Sequence, residues 1–166
     1  MVSARASILI DRPAPEVYAF VAEDFTRNYR RWSPEVQHLE LLTPGPLRVG
    51  SRARQIRVDQ GRRTDHTFRV VALDRPSRIC FAETTDQFRI EYLMVPGPGG
   101  LAEAPTRLTF GFQLNRLEFY MRPFEKLIRA AVQDGAERVV QNIKRLVENE
   151  HTSSSEQPSG PPDRPS

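Results

Sequence analysis

The sequence predicts an α+β domain in which a curved antiparallel sheet of seven strands wraps around one long C-terminal helix. Three observations carry that expectation. Apolar residues alternate with period two in a succession of short runs, the runs are separated by turns rich in Pro, Gly and Asp, and from about residue 117 the period becomes helical. At 166 residues, with 39% hydrophobic and 27% charged, the chain suits one globular domain. A domain of this size buries roughly 70% of its unfolded surface, so a core forms without covalent staples. Cys80 is the lone cysteine, which excludes an internal disulfide and fits a reducing compartment.

The first strand is placed at 4–10, where Ala4, Ala6, Ile8 and Ile10 share one parity. Asp11-Arg12-Pro13-Ala14-Pro15 ends it, and prolines suit a first helical turn. Val17, Phe20 and Val21 recur at helical spacing, which predicts a short helix over 14–22. Asp24 is placed to cap a second short helix holding Phe25 and Tyr29, closed by Trp32-Ser33-Pro34. Strands are then predicted at 36–43, 50–59, 63–74, 78–85, 87–95 and 106–115. The last of them sets Leu108, Phe110, Phe112 and Leu114 on one face. The Pro- and Gly-rich segment 96–105 is a loop.

Over 117–149 Phe124, Ile128, Ala131, Gly135, Val139, Asn142 and Leu146 form a stripe on one helix face, widened by Leu127, Val132 and Ile143. Pro123 belongs in the helix's first turn or in a short turn before it. The domain is expected to occupy 1–150, and the polar segment 151–166, which has nothing apolar to bury, is expected to be a disordered tail. Strands joined by short turns make an antiparallel meander with one packed face, and the C-terminal helix is the one element able to cover it. A sheet curled around a single helix leaves a gap between them, suited to a ligand.

With that order of elements, the chain resembles the SRPBCC superfamily (START-like, birch-pollen-allergen-like), closest to its polyketide cyclase/dehydrase-like branch. The residues that carry the resemblance run from Ile8-Leu9-Ile10-Asp11-Arg12-Pro13-Ala14-Pro15-Glu16-Val17 through Tyr29-Arg30-Arg31-Trp32-Ser33-Pro34. Val49-Gly50-Ser51-Arg52, Pro105-Thr106-Arg107-Leu108-Thr109 and the helix ending Asn142 to Glu148 add to it, with Pro105 where the family usually has glycine. The resemblance spans about residues 4–150 and implies a helix-grip fold enclosing a cavity. Because that fold hosts transport, cyclisation, sensing and chaperone work, it implies no single function.

His38 and His66 stand on separate strands without Glu or Cys at ligand spacing, and His151 lies in the tail, so no metal or other cofactor is expected. No phosphate loop or Gly-x-Ser-x-Gly elbow is present. Cys80, between Ile79 and Phe81, is expected to be inert filling. His66 shares parity with Phe68 and Val70. It is either a cavity-rim histidine satisfied by water or a neighbour, the favoured reading, or an acid/base or hydrogen-bonding anchor for a ligand. In the strand at 50–59, simple periodicity turns Arg54, Ile56 and Val58 inward, whereas the resemblance turns Ala53, Gln55 and Arg57 inward. A one-residue bulge would reconcile them, and Gln55 is favoured inside. Glu83 is expected at an exposed strand end rather than buried. Gly135 is either a close contact with the sheet or room for ligand.

Trp32, Phe68, Phe81, Phe88, Tyr92, Phe110, Phe112, Phe119 and Phe124 exceed what a thin core needs. Each alone is ordinary packing; together they suit a planar or polycyclic ligand, with Tyr92 as a hydroxyl anchor. The candidate ligand-binding residues are Trp32, Gln55, His66, Phe68, Phe81, Tyr92, Phe110, Phe124, Ile128 and Val132. Arginines 48, 52, 54, 57, 62 and 63 crowd one hairpin region, where a solvated face is favoured over a guard for an anionic ligand or a surface for lipid headgroups or RNA. Without interleaved stacking aromatics, nucleic acid is the weakest of these. Arginine makes up 22 of the 24 basic residues, which reads as codon bias in a GC-rich bacterial genome.

No signal peptide and no stretch of about 18 apolar residues is visible, so a cytoplasmic protein that does not span a membrane is expected, as a monomer or homodimer. The first functional reading is a module that binds or carries an apolar, aromatic or polyketide-like molecule. The second is a cyclase or dehydratase drawing on His66, Gln55, Arg57 and Tyr92. The third is an interaction protein that uses the arginine-rich hairpin or the closing helix.

Overall fold

The period-two runs form seven strands: β1 (Val2–Ile10), β2 (Val36–Leu41), β3 (Arg52–Asp59), β4 (Arg62–Asp74), β5 (Arg78–Glu83), β6 (Phe88–Pro96) and β7 (Thr106–Leu114). The helices are α1 (Ala14–Tyr18), α2 (Phe25–Trp32) and α3 (Glu125–Ser154). The computed structural model describes residues 1–98 and 105–154, the last four as backbone. Residues 99–104 of the expected loop and 155–166 of the expected tail lie outside the described residues; α3 itself runs four residues past the boundary expected at 150.

The strands pair antiparallel in the order β1-β7-β6-β5-β4-β3-β2, an open meander in which the first strand joins beside the last and β1 and β2 form the edges. Thr106, fully buried at the start of β7, donates its hydroxyl to Arg12 O at 2.6 Å and ties β7 to the end of β1. Register shifts at Val36/His38 in β2 and Val70/Ala72 in β4 each insert one residue, which raises local twist and helps curl the sheet.

The helix expected over 14–22 is α1 followed by a π-helical turn, Ala19–Glu23. Asn28 of α2 donates its side-chain amide to Phe20 O at 3.0 Å, which stitches that turn to α2. Asp24 sits at the start of α2 as expected, but its side chain makes no capping bond; its backbone carbonyl accepts from Arg27 N and Asn28 N instead.

The long helix starts later and in a different phase than its spacing implies. Phe119–Phe124, with Pro123, is a 3₁₀ turn, and α3 begins at Glu125. A 3₁₀ turn advances 120° per residue rather than 100°, so Phe124 falls out of phase with the helix that follows. The buried stripe is Ala136, Val140, Ile143 and Val147, one position on from the expected one. No residue of α3 before Ala136 is buried, and Ala131 is exposed.

α3 also covers the free edge of β1. Gln133 bonds both Arg5 backbone groups, accepting from its N at 3.4 Å and donating to its O at 3.0 Å. Lys144 donates to Leu9 O at 2.7 Å, and Glu148 accepts from Asp11 N at 3.0 Å. An edge strand otherwise offers these groups to another chain.

Candidate ligand-binding site

On the packed side of the sheet the side chains are fully buried at one end, here the closed end, and only partly covered at the other, here the mouth. At the closed end α2 presents Phe25, Tyr29 and Trp32, whose spacing of four and three puts them on one helix face. Phe25 meets Tyr29 and Phe81 at 4.7 Å between ring centroids. Phe68 stands perpendicular to Phe81 at 5.4 Å, Trp32 meets Tyr92 at 5.9 Å, and Tyr92 meets Phe110 at 5.2 Å. The structure thus brings Trp32, Phe68, Phe81, Tyr92 and Phe110 together, but packed on one another rather than lining an open cup. Phe25 and Tyr29, which the sequence reading placed only on a helix, fill the space between them. Their spacing was the available signal.

Two polar links cross this ring cluster. Tyr29 donates its hydroxyl to Gln55 Oε1 at 2.8 Å, and Trp32 donates Nε1–H to the Tyr92 hydroxyl at 3.2 Å. Gln55 is buried, so Ala53 and Gln55 face inward, while Ile56 and Val58 share the opposite face. No bulge in β3 is needed: it pairs with β4 continuously from Arg52 to Asp59, and the irregularity lies in β2. Burial pushes the Tyr29 hydroxyl above its ordinary pKa, partly offset by the nearby Arg57 guanidinium. Burial pushes the Tyr92 hydroxyl up as well, against the bond from Trp32. Both phenols stay protonated at neutral pH, so they donate hydrogen bonds and do not act as bases. Burial works against the charge on Arg57, but the two hydrogen bonds it donates to Asp59, at 2.8 and 2.9 Å, hold its pKa above the usual arginine value.

The mouth is looser. Phe88 stacks on Phe112 at 5.9 Å, and the His66 ring stands perpendicular to Phe88 at 5.3 Å. His66, Phe112, Leu114, Ile128 and Val132 are half-buried. Phe124, expected inside, is 56% exposed for the phase reason given above. A Cβ on Gly135 would find nothing nearer than the Arg138 guanidinium at 3.9 Å, so this glycine does not make the close sheet contact that was one of its two readings.

Glu83 is buried, contrary to the exposed strand end expected for it. It folds onto the β5–β6 turn and accepts from Thr85 N at 2.8 Å, Thr85 Oγ1 at 2.7 Å and Gln87 N at 3.2 Å. Burial alone would raise its pKa, but those donors outweigh it and hold the carboxyl below the usual range. Cys80 is buried with its pKa raised, first by burial and then by the Glu91 carboxylate, which suits inert packing rather than a nucleophile. Two of the six arginines of the hairpin region are paired with acids: Arg54 holds Asp65 at 2.9 and 2.6 Å, and Arg57, already on Asp59, also approaches Glu35 at 3.9 Å. His38 lies exposed beside Glu40. Among the described residues no group of three His, Cys, Asp or Glu is placed to hold a metal, and no helix is long and apolar enough to cross a membrane.

Two concavities lie away from the cup. One, of about 240 Å³, runs between Tyr18, Leu47, Leu73 and Arg75. The other, of about 610 Å³, spreads over the β1, β5, β6 and β7 surface around Arg5, Arg78, Arg89 and Glu91.

A seven-stranded antiparallel sheet in this order, with two short helices after β1 and a long closing helix, defines a helix-grip protein of the SRPBCC class. The chain belongs to the family described as polyketide cyclase / dehydrase and lipid transport, whose model matches residues 1–148. Its fold is similar to the Zhui aromatase/cyclase from Streptomyces sp. R1128, with a TM-score of 0.70 at 15% identity over 92% of this chain and 96% of that one. TTHA0849 from Thermus thermophilus aligns with a TM-score of 0.68 at 18% identity, over 89% and 98% of the two chains. The di-domain ARO/CYC BexL from the BE-7585A biosynthetic pathway aligns at 23% identity with a TM-score of 0.65, over 89% of this chain and 47% of that one. No curated protein matches the sequence.

Proposed function

We propose that this protein binds an apolar, ring-bearing small molecule in the mouth half of the grip, above the packed aromatic floor and under the first turns of α3. The observation that carries this reading is the abrupt change in burial along α3. Ala136, Val140, Ile143 and Val147 are buried, while Ile128 and Val132, on the same side of the helix, are covered only in part. The inward side chains opposite them, Phe112 and His66, are likewise half-covered. An occupant sandwiched there would complete the burial that the protein leaves unfinished, at roughly 25 cal/mol per Å² of apolar surface. Flat rings suit the Phe88–Phe112 stack, which presents aromatic area at little entropic cost.

The test is a titration of the purified protein with a polycyclic aromatic such as an anthraquinone, followed by native mass spectrometry and by Trp32 fluorescence. A saturable one-to-one adduct, blocked by Val132→Trp, supports the reading. No adduct, or one indifferent to Val132→Trp, overturns it.

A second reading, a cyclase or dehydratase, is favoured by one observation: His66 lies at the mouth on the same parity as the core residues Phe68 and Val70. There it could exchange a proton with a bound molecule, whereas the two buried tyrosines only donate. The likeness to the Zhui aromatase/cyclase and to BexL supports keeping ring closure and dehydration as the chemistry to assay.

A further inference from the structure

The turn that precedes α3, together with the helix's first turn, presents large apolar side chains to solvent. Phe119 is 81% exposed, Tyr120 53%, Phe124 56% and Leu127 69%. A single exposed apolar residue is ordinary, but a contiguous set of this size marks a surface that meets something. The surroundings are basic. Between 116 and 129 there are four basic residues and two acidic ones, and Glu125 is engaged with Arg129 at 2.6 Å. The arginine-rich β3–β4 hairpin reaches the same place: Arg62 donates from Nη1 to Met121 Sδ at 3.6 Å. Arg62 and Arg63 at its tip are exposed, while Arg54 and Arg57 further along are held by Asp65 and Asp59.

We propose that this knob, the aromatic turn flanked by the hairpin tip, docks the protein on an anionic lipid surface. Phe119, Phe124 and Leu127 would enter the headgroup–acyl boundary, Tyr120 would sit at headgroup level, and Arg62, Arg63 and Arg122 would meet lipid phosphates. The charge decides against a second copy of the chain, because a two-fold contact would set this basic patch against itself. The shape decides against single-stranded nucleic acid. The Phe119 and Tyr120 rings stand at 84° with centroids 6.0 Å apart, so they offer no parallel faces on which successive bases could stack. The proposal does not depend on what the grip holds.

Vesicle flotation with the full chain tests it, using phosphatidylcholine vesicles with and without phosphatidylglycerol. The protein is expected to float with the phosphatidylglycerol vesicles only, and progressively less as salt rises. The double variant Phe119→Ser/Phe124→Ser should lower partitioning by about tenfold or more, and Arg62→Ser/Arg63→Ser by about tenfold. All four positions are exposed, so the melting temperature and Trp32 fluorescence should not change. Failure to float with phosphatidylglycerol, or equal flotation by the variants, overturns the proposal. So does a solution dimer that Phe119→Ser/Phe124→Ser dissociates, or an oligouridylate that displaces the vesicles at equal charge. Ligand titration of the same variants keeps this result separate from that of the binding reading, since neither double variant touches the mouth residues His66, Phe112 and Val132.

Discussion

Tyr29 on α2 and Gln55 on β3 are joined by a 2.8 Å hydrogen bond in a site where both are buried, and the Tyr29 hydroxyl also meets the Arg57 guanidinium. Tyr29→Phe should therefore destabilise the fold by about 1–3 kcal/mol, the cost of stranding a buried carbonyl. The double variant Tyr29→Phe/Gln55→Leu should recover most of that loss, because it removes both partners. Urea unfolding of the two single variants and the double closes the cycle, and simple additivity would contradict the linkage.

Gly135 lies within α3, where a Cβ would make only an ordinary contact, 3.9 Å from the Arg138 guanidinium. Gly135→Ala should raise stability by about 0.5–1 kcal/mol, from helix propensity alone. A loss of stability on thermal unfolding would mean that the helix packs more tightly there than its surroundings indicate.

Glu83 governs part of the response to acid. Its carboxyl is held below the ordinary glutamate value of about 4.5, so the unfolded chain takes up that proton first as pH falls. Its contribution is complete above about pH 4.5 and is lost as pH drops through the lower folded value. Glu148 acts in the same sense: burial opposes its charge, but the Asp11 amide and Lys144 outweigh it. The denaturation midpoint should fall below about pH 4.5, and Glu83→Gln should show a shallower fall from a lower plateau. A variant with an unchanged acid slope would remove Glu83 from this role.

His66→Phe separates a carrier from an enzyme. The substituted ring keeps the perpendicular contact with Phe88, so affinity for an aromatic ligand should stay within about threefold, less than 1 kcal/mol. Cyclisation or dehydration dependent on His66 would vanish, and turnover that survives would move the chemistry elsewhere.

The strand runs were legible in the sequence because a sheet with one wet face writes its period into the chain, as at Leu108, Phe110 and Phe112. The long helix was legible in extent but not in phase. The 3₁₀ turn at Pro123 takes Phe124 out of phase with the helix, while inside α3 the apolar spacing fits two neighbouring stripes and the buried one, Ala136 to Val147, is the one that leaves Ala131 outside. The aromatic set was recognised, but its state was not. Whether rings line a space or fill it depends on how deep α2 sits, and Phe25 and Tyr29 advertise a helix face without saying how far it penetrates. Glu83 misled because a carboxylate at a strand end looks solvated, while the four-residue turn beyond it supplies all the donors it needs.

The clasp between α3 and the margin of β1 limits how the grip can open. From Gln133 onward the helix doubles as a lid on backbone groups of Arg5, Leu9 and Asp11, so lifting that part would bare a sticky strand margin. The turns before Gln133 carry no such duty. Any opening that let in the proposed guest would therefore be confined to the turns before Gln133, with the rest of the helix staying seated on β1. Amide hydrogen exchange along α3 should fall off steeply from one side of Gln133 to the other.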